Sequence, residues 1–196
     1  MLYNIATTSA VGERAVGDEE GRMVRAAQAD HAAFGPLYER YVDRVHAYLR
    51  ARTGDPDDAA DLTQQVFVRA LDALPRYRIG RTPVAAWLFR IARNVAVDFH
   101  RRRRDTVTWD LVPAALEPVA PDDPSAAVIQ TETLERLRAR CMALDPGTRE
   151  LLILRFAAGL TVAEIAAVVG ASRGATQMRL VRALRTLKES YHDHTL

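Results

Sequence analysis

The sequence predicts an all-α protein: two small helical domains joined by an extended acidic linker. Apolar residues recur every three or four positions along most of the chain, and no convincing period-two run appears. Cap residues, often followed by proline, and closing glycines divide these stretches into separate helices. With 196 residues, 48% of them hydrophobic, the chain can bury the core of one large domain or of two small ones.

The first predicted domain spans residues 21–104 and follows a flexible tail over residues 1–20. Helices are expected in it over about 21–29, 30–52, 56–74 and 83–103. The dipeptides Asp55-Pro56 and Thr82-Pro83 mark two of the starts, because each combines a capping side chain with proline at the first helical position. Pro75 ends the helix between them.

Residues 105–127 form the predicted linker, since four prolines and a run of acids interrupt the helical pattern there. Helix resumes near Val128 in a second domain expected to end at residue 190. The start signals in it are Asp145-Pro146, a capping box of Thr161 with Glu164, and Ser172, and the closing glycines are Gly159 and Gly170.

The net charge of +2 conceals strong segregation of charge along the chain. Nine arginines and one acid lie within residues 76–104, and seven acids without any base lie within 105–135. A second basic segment, 172–188, holds five bases and no acid. Two basic segments that flank an acidic one suggest two separate contacts with a polyanion. A preference for arginine from genome composition would explain the residue type but not the clustering.

The segment WLFRIARNVAVDFHRRRR, residues 87–104, predicts an amphipathic helix. An apolar stripe should be buried, formed by Leu88, Ile91, Ala92, Val95, Ala96 and Phe99. Arg90, Arg93, Arg101 and Arg104 fall on the opposite face, with Asn94 and Trp87 at its edge. Such a face suits phosphates and an unstacked base. A solvated basic face with a core tryptophan is the alternative.

The segment LTVAEIAAVVGASRGATQMRLVRALRTL, residues 160–187, has the form of a helix-turn-helix. The N-terminal residues of its second helix would enter a major groove, where arginine and glutamine can bind base edges. We expect DNA contacts from Ser172, Arg173, Ala175, Thr176, Gln177, Arg179, Arg182 and Arg185. An ordinary helical hairpin is the alternative.

Taken in order, these segments resemble the extracytoplasmic-function (ECF) sigma factors of bacteria. FGPLYERYVDRVHAYLRARTGDPDDAADLTQQVFVRAL is similar to sigma regions 2.1 and 2.2, and TPVAAWLFRIARNVAVDFHRRRR to regions 2.3 and 2.4. LDPGTRELLILRFAAGLTVAEIAAVVGASRGATQMRLVRALRTLK is similar to region 4. Residues 174–179 depart from the family's frequent Gly-Thr-Val-Lys-Ser-Arg, which leaves the promoter sequence open.

The resemblance implies an alternative sigma factor that binds core RNA polymerase. Its binding sites on the polymerase would be the clamp helices of the largest subunits and the flap. The polymerase-binding helix would present Asp61, Leu62, Gln64, Gln65, Val68 and Arg69. The minus-ten element would be melted and read by Arg81, Trp87, Arg90, Arg93, Asn94, Arg101 and Arg104, with Asn94 and the loop before Thr82 as candidates for a base pocket. The second domain would read the minus-thirty-five element. An anti-sigma factor, often membrane-anchored, is a further expected partner, and the linker would follow the RNA exit path.

Other function classes find little support in the sequence. The five histidines are dispersed except at the C-terminus, so we expect neither a metal nor another cofactor, no small-molecule substrate and no enzyme activity. The single cysteine, Cys141, excludes a disulfide framework and is expected in the core. Without a signal-peptide pattern or an apolar run of spanning length, a cytoplasmic location is expected. The main alternative function is a stand-alone helix-turn-helix regulator of duplex DNA.

Overall fold

The computed structural model describes residues 10–104, 141 and 143–192. Regular structure within these ranges is helical throughout, which confirms the all-α prediction. The α-helices are α1 (Ala10–Ala29), α2 (Gly35–Thr53), α3 (Pro56–Ala73), α4 (Val84–Arg104), α5 (Pro146–Phe156), α6 (Val162–Val169) and α7 (Arg173–His192), and 3-10 turns cover His31–Phe34 and Leu74–Arg76. The predicted linker and the helix expected from Val128 lie outside the described residues.

Helix α1 begins at Ala10, so it includes residues 10–20 that the sequence suggested as part of a flexible tail. The difference arises because α1 has long-range partners on α2. Glu19 and Glu20 form ion pairs with Arg40 at 3.1 and 3.3 Å, and the Tyr41 hydroxyl donates to Glu20 at 2.5 Å. Burial, reinforced by Glu20, raises the pKa of Tyr41, so the phenol remains a donor.

Capping side chains begin the helices close to where the sequence predicts. Asp55 accepts hydrogen bonds from the backbone N–H groups of Asp57 and Asp58, both at 2.9 Å, at the start of α3. Just before it, Gly54 ends α2 with a φ of 76°, a left-handed conformation that only glycine adopts without strain. Asp30 caps the 3-10 turn instead of a long helix, and α2 starts at Gly35.

Helices α2, α3 and α4 pack together around the largest buried side chains of the N-terminal half. Tyr41, Tyr48 and Phe89 are fully buried, and the Tyr48 and Phe89 rings meet edge to face at 5.6 Å. The predicted stripe of α4 is confirmed: its six residues are all buried or partly buried against this core. The opposite face of α4 is therefore left for other contacts.

Helices α5, α6 and α7 form the C-terminal group. Asp145 caps α5 through the Thr148 N–H at 3.0 Å, and the predicted capping box of Thr161 and Glu164 starts α6. Gly170, with a φ of 70°, ends α6 and turns the chain into α7. The order of helix, tight turn and helix is that of a helix-turn-helix.

Cys141 is buried, as expected for a core thiol. Burial raises the pKa of this thiol, which keeps it protonated and poorly nucleophilic. None of the helices in the described ranges has the length and apolar character needed to cross a membrane.

Replacing Asp55 by alanine should lower the free energy of unfolding by about 1 kcal/mol, because two N–H groups at the start of α3 lose their acceptor. Chemical denaturation measures this loss. The matched control is Asp72→Ala, which removes an exposed carboxylate near the other end of the same helix and should not destabilise the protein. Equal loss in both variants would contradict the capping role.

Candidate functional site

A shallow groove on α3 brings together five of the six residues predicted for polymerase binding. Its volume is about 370 Å³, and its lining consists of Asp61, Gln64, Gln65, Val68 and Arg69. Val68 is 61% exposed, although it is a large aliphatic side chain. The sixth predicted residue, Leu62, is only 4% exposed and belongs to the core. Because it faces the other helices, Leu62 supports this surface from beneath and is not part of it.

The groove lining holds one acid, Asp61, and one base, Arg69, which also pairs with Asp98 of α4 at 3.3 Å. A mixed polar surface with an exposed valine is suited to a protein partner more than to a polyanion. We name this surface the α3 groove.

A second surface, the basic cleft, lies between the end of α3 and the start of α4. Its volume is about 450 Å³, and it is lined by Ala73, Arg76, Tyr77, Arg78, Arg81, Thr82, Trp87 and Arg90. No acid is among the lining residues, so the potential inside the cleft is positive. We call residues 74–82, which form one wall, the cleft loop.

Aromatic contacts hold the cleft loop in shape. The rings of Tyr77 and Trp87 lie 4.9 Å apart, tilted by 46°, and the Tyr77 hydroxyl donates to the backbone carbonyl of Thr82. Burial, followed by the nearby Glu20, raises the pKa of Tyr77, so this donor remains protonated at neutral pH. Arginines around two packed aromatic rings offer phosphate contacts beside a stacking surface.

Only some of the predicted minus-ten residues on α4 line the basic cleft. Trp87 and Arg90 line the basic cleft, together with Arg81 of the cleft loop. Asn94 is exposed one turn beyond Arg90 and is not among the residues that line the cleft. Arg101 is exposed and pairs with Asp98 at 3.4 Å. Arg104 is the last residue of α4.

Arg90 and Arg93 also contact the C-terminal helices. The Arg90 guanidinium donates twice to the carbonyl of Ala167, at 2.9 and 2.5 Å. That carbonyl lies in the last turn of α6, where carbonyls lack donors from their own helix and the helix dipole is negative. Arg93 lies 3.9 Å from the Glu150 carboxylate of α5. The C-terminal helices therefore contact two arginines of this face of α4, both of which remain exposed.

Glu150 is the centre of this contact, and it is only 5% exposed. It accepts from the Tyr48 hydroxyl at 2.6 Å and from the Arg52 guanidinium at 2.5 Å. Burial and the nearby carboxylate raise the pKa of Tyr48 well above its usual range, so the phenol donates at neutral pH. A buried carboxylate with a cation and a hydroxyl on its oxygens is compensated.

Arg44 of α2 adds a further contact beside Glu150. It donates to the carbonyls of Ala158 and Gly159 at 2.9 and 3.3 Å. Buried apolar residues of the N-terminal and C-terminal helices also form one continuous cluster. We call these contacts together the interdomain contact.

The second helix of the helix-turn-helix, α7, exposes most of the predicted duplex-binding residues. Those exposed are Ser172, Arg173, Ala175, Arg179, Arg182 and Arg185, and Gln177 is half-buried. Thr176 was expected to contact DNA, but it is 1% exposed and its hydroxyl donates to the Ser172 carbonyl at 3.0 Å. Its position on the same helical stripe as Leu180 and Ala183 directs it into the core.

Arg179 differs from the other basic residues of α7 because it reaches the start of α5. Its guanidinium lies 3.4 Å from Asp145 and 3.3 Å from the Thr148 hydroxyl. The pKa of Asp145 is lowered, chiefly by hydrogen bonds from Thr148 and with a smaller contribution from Arg179. Arg179 therefore braces two helices in this structure.

Several residues of these surfaces were not named individually from the sequence, although the loop before Thr82 was a candidate. Arg76, Tyr77 and Arg78 line the basic cleft, and their signal was the charge density immediately after Pro75. Glu150 carried a weaker signal, a lone acid within the apolar run of RELLILRF. Within the described residues, His, Cys, Asp and Glu side chains form no group of three that could hold a metal ion.

Two family models match the chain, one over the N-terminal helices and one over the C-terminal helices. Sigma-70 region 2 matches residues 37–106, which include the α3 groove and all the residues that line the basic cleft. Sigma-70, region 4 matches residues 142–189, which include the helix-turn-helix. Nothing in these matches favours a stand-alone regulator, which would have no use for region 2.

Among the relatives is the ECF RNA polymerase sigma factor BldN of Streptomyces coelicolor, 36% identical over 175 residues. The alignment covers 87% of this chain but 65% of that relative's length. The ECF RNA polymerase sigma factor SigD of Mycobacterium tuberculosis is 33% identical, with 85% of this chain and 81% of SigD covered.

A solved structure with the same fold is that of the sigma factor RpoE from Bartonella quintana, in complex with the anti-sigma factor NepR. It superposes with a TM-score of 0.59 at 25% identity and covers 80% of this chain and 94% of that one. With both sigma regions matched in order and relatives such as SigD aligned over most of their length, the chain belongs to the ECF family of RNA polymerase sigma factors.

Proposed function

We propose that this chain binds core RNA polymerase through the α3 groove and directs it to promoters by two DNA contacts. The basic cleft and the arginine face of α4 recognise and melt the minus-ten element. The exposed face of α7 reads the minus-thirty-five element as a duplex. The observation that carries the proposal is the basic cleft, because packed aromatic rings among four arginines suit an unstacked base and its phosphates.

The proposal assigns the two DNA contacts to two domains, 21–104 and 128–190, with α1 extending the first towards Ala10. The acidic segment 105–127 would then join them. The chain acts as an initiation factor in the cytoplasm and performs no covalent chemistry of its own. An anti-sigma factor is a further proposed partner, by analogy with the sigma factor from Bartonella quintana that was crystallised with NepR.

The proposed DNA contacts require the interdomain contact to open. The Ala167 carbonyl occupies the Nε–Nη2 edge of the Arg90 guanidinium, so a phosphate cannot bind that edge in this arrangement, and Arg93 lies against Glu150. The structure is therefore a closed arrangement that polymerase would separate on binding. Occupying part of its own arginine face would weaken binding of the free protein to DNA.

The test of the proposed function is reconstitution with core RNA polymerase and a promoter library, followed by sequencing of the transcripts. Wild-type protein should produce transcripts with shared minus-ten and minus-thirty-five elements. Val68→Asp should lower the affinity for core polymerase at least tenfold, because it puts a charge in the centre of the α3 groove. Affinity measured by fluorescence anisotropy without DNA checks this.

The control for that variant is Met178→Asp, which makes a similar change at an exposed apolar residue of α7. It should leave core affinity unchanged when no DNA is present. Transcription without start-site selectivity, or equal core affinity for Val68→Asp and wild type, would contradict the proposal.

Arg81→Ala should reduce the salt dependence of holoenzyme binding to the single-stranded minus-ten element. Losing one phosphate contact should flatten the slope of log K against log salt by about 0.7. Arg182→Ala should instead flatten the slope for duplex minus-thirty-five DNA by about 0.9. Titrations at several salt concentrations measure both slopes. If each variant changed both slopes equally, the assignment of one element to each domain would be wrong.

Glu150→Gln should raise the affinity of the free protein for single-stranded minus-ten DNA by several fold. The substitution leaves Arg52 and Arg93 without their carboxylate, which destabilises the closed arrangement and releases the arginine face. Anisotropy with a labelled oligonucleotide measures affinity, and energy transfer between dyes on α2 and α7 reports separation. Glu39→Gln makes the same change at an exposed residue of α2 and should alter neither. A folded Glu150→Gln protein with unchanged affinity and unchanged dye separation would exclude autoinhibition.

A further inference from the structure

Helix α1 contacts the cleft loop from the side that faces away from the basic cleft. The side-chain amide of Gln28 donates to two backbone carbonyls of this loop, Leu74 at 2.9 Å and Tyr77 at 2.8 Å. Gln28 is partly buried and is not among the residues that line the cleft. It therefore acts on the shape of the loop without reaching a ligand in the cleft.

The two hydrogen bonds fix both ends of one short turn. Leu74 begins the 3-10 turn that follows α3, and Tyr77 is the first residue after it. A glutamine amide has two N–H groups, and each is used on one of these carbonyls. The reverse orientation of the amide would point its oxygen at two carbonyl oxygens, so only the donating orientation is stable.

The position of Tyr77 determines the shape of the cleft. Its ring packs on Trp87, its hydroxyl bonds the carbonyl of Thr82, and its neighbours Arg76 and Arg78 line the cleft. Since Gln28 holds the Tyr77 carbonyl, a change at position 28 would shift the Tyr77 ring against Trp87. It would also shift the neighbouring Arg76 and Arg78.

Helix α1 is itself held firmly enough to act as a brace. Its Val24 and Ala27 are fully buried, and Glu19 and Glu20 connect it to α2. At Gly21 the helix approaches the cleft loop so closely that a Cβ atom would lie 3.3 Å from a methyl group of Ile79. The helix therefore meets the loop at two places, Gln28 and Gly21.

We infer that Gln28 is a positioning residue that sets base preference at the minus-ten element, by fixing the cleft loop through the carbonyls of Leu74 and Tyr77. The inference rests on the proposed function of the basic cleft. It extends the determinants of promoter choice to a helix that lies before the residues matched by the region 2 family model.

The experiment uses holoenzyme reconstituted from full-length protein and a promoter library randomised across the minus-ten element. Gln28→Glu keeps the shape of the side chain and replaces both donors by acceptors. Gln28→Asn keeps the amide but shortens its reach, and Gln28→Lys keeps donors on a long chain. Ala26→Glu is the matched control, because it adds the same charge at an exposed position of the same helix.

We expect Gln28→Glu and Gln28→Asn to lower discrimination at one or two minus-ten positions about tenfold. Gln28→Lys should remain within about threefold of wild type, and Ala26→Glu should match wild type. Core affinity and the preference at the minus-thirty-five element should not change in any variant. Rescue by lysine would show that donation to the loop matters, and a change of base preference without loss of thermal stability would distinguish positioning from a purely structural role.

The inference would be overturned if Gln28→Glu and Gln28→Asn retained the wild-type preference. It would also be overturned if they lowered transcription equally from all promoters together with a loss of thermal stability. Should Gln28→Glu fail to fold, the minus-ten discrimination of Gln28→Asn is compared with that of Gln28→Lys. Equal discrimination in these two variants would then overturn the inference. Wild-type holoenzyme without any minus-ten preference would instead contradict the proposed function of the cleft.

Discussion

One buried carboxylate is the centre of the contact between the two groups of helices. Glu150 of α5 has its oxygens occupied by Tyr48 and Arg52 of α2, and Arg93 of α4 lies within ion-pair distance. Removing a carboxylate from water is costly unless donors surround it. These donors come from the N-terminal helices, so Glu150 is fully compensated only while the groups are together. The same residue thereby links the packing of the protein to the availability of its arginines.

Local features of the fold could be predicted from the sequence because they depend on neighbouring residues. The caps at Asp55, Asp145 and Thr161, the turn at Gly170 and the buried stripe of α4 all follow from spacing and residue type. The α3 groove could be located through resemblance, and five of its six expected residues line it. Leu62 was assigned to the surface because a motif gives no information about which way a side chain points.

Features that depend on distant residues could not be predicted. The bonds from Gln28 to the cleft loop span 46 and 49 positions, and Tyr48 and Glu150 are 102 positions apart. A single sequence carries no signal that pairs such residues. Thr176 was predicted to contact DNA although it lies on the same helical stripe as Leu180 and Ala183, which is buried. Helix α1 was predicted to begin about ten residues too late, because Glu19 and Glu20 pair with Arg40 of α2, which lies far along the chain.

Ionic strength should have little effect on the interdomain contact because of the groups that form it. Arg44 and Arg90 hold neutral backbone carbonyls, and the Glu150 ion pair is largely shielded from solvent. Mobile ions screen such contacts weakly, whereas they compete strongly with protein for DNA phosphates. Rising salt therefore lowers the affinity for DNA and has little effect on the stability of the closed arrangement. Under the proposed opening before DNA binding, the ionic strength of the cell would then affect how readily promoters are bound.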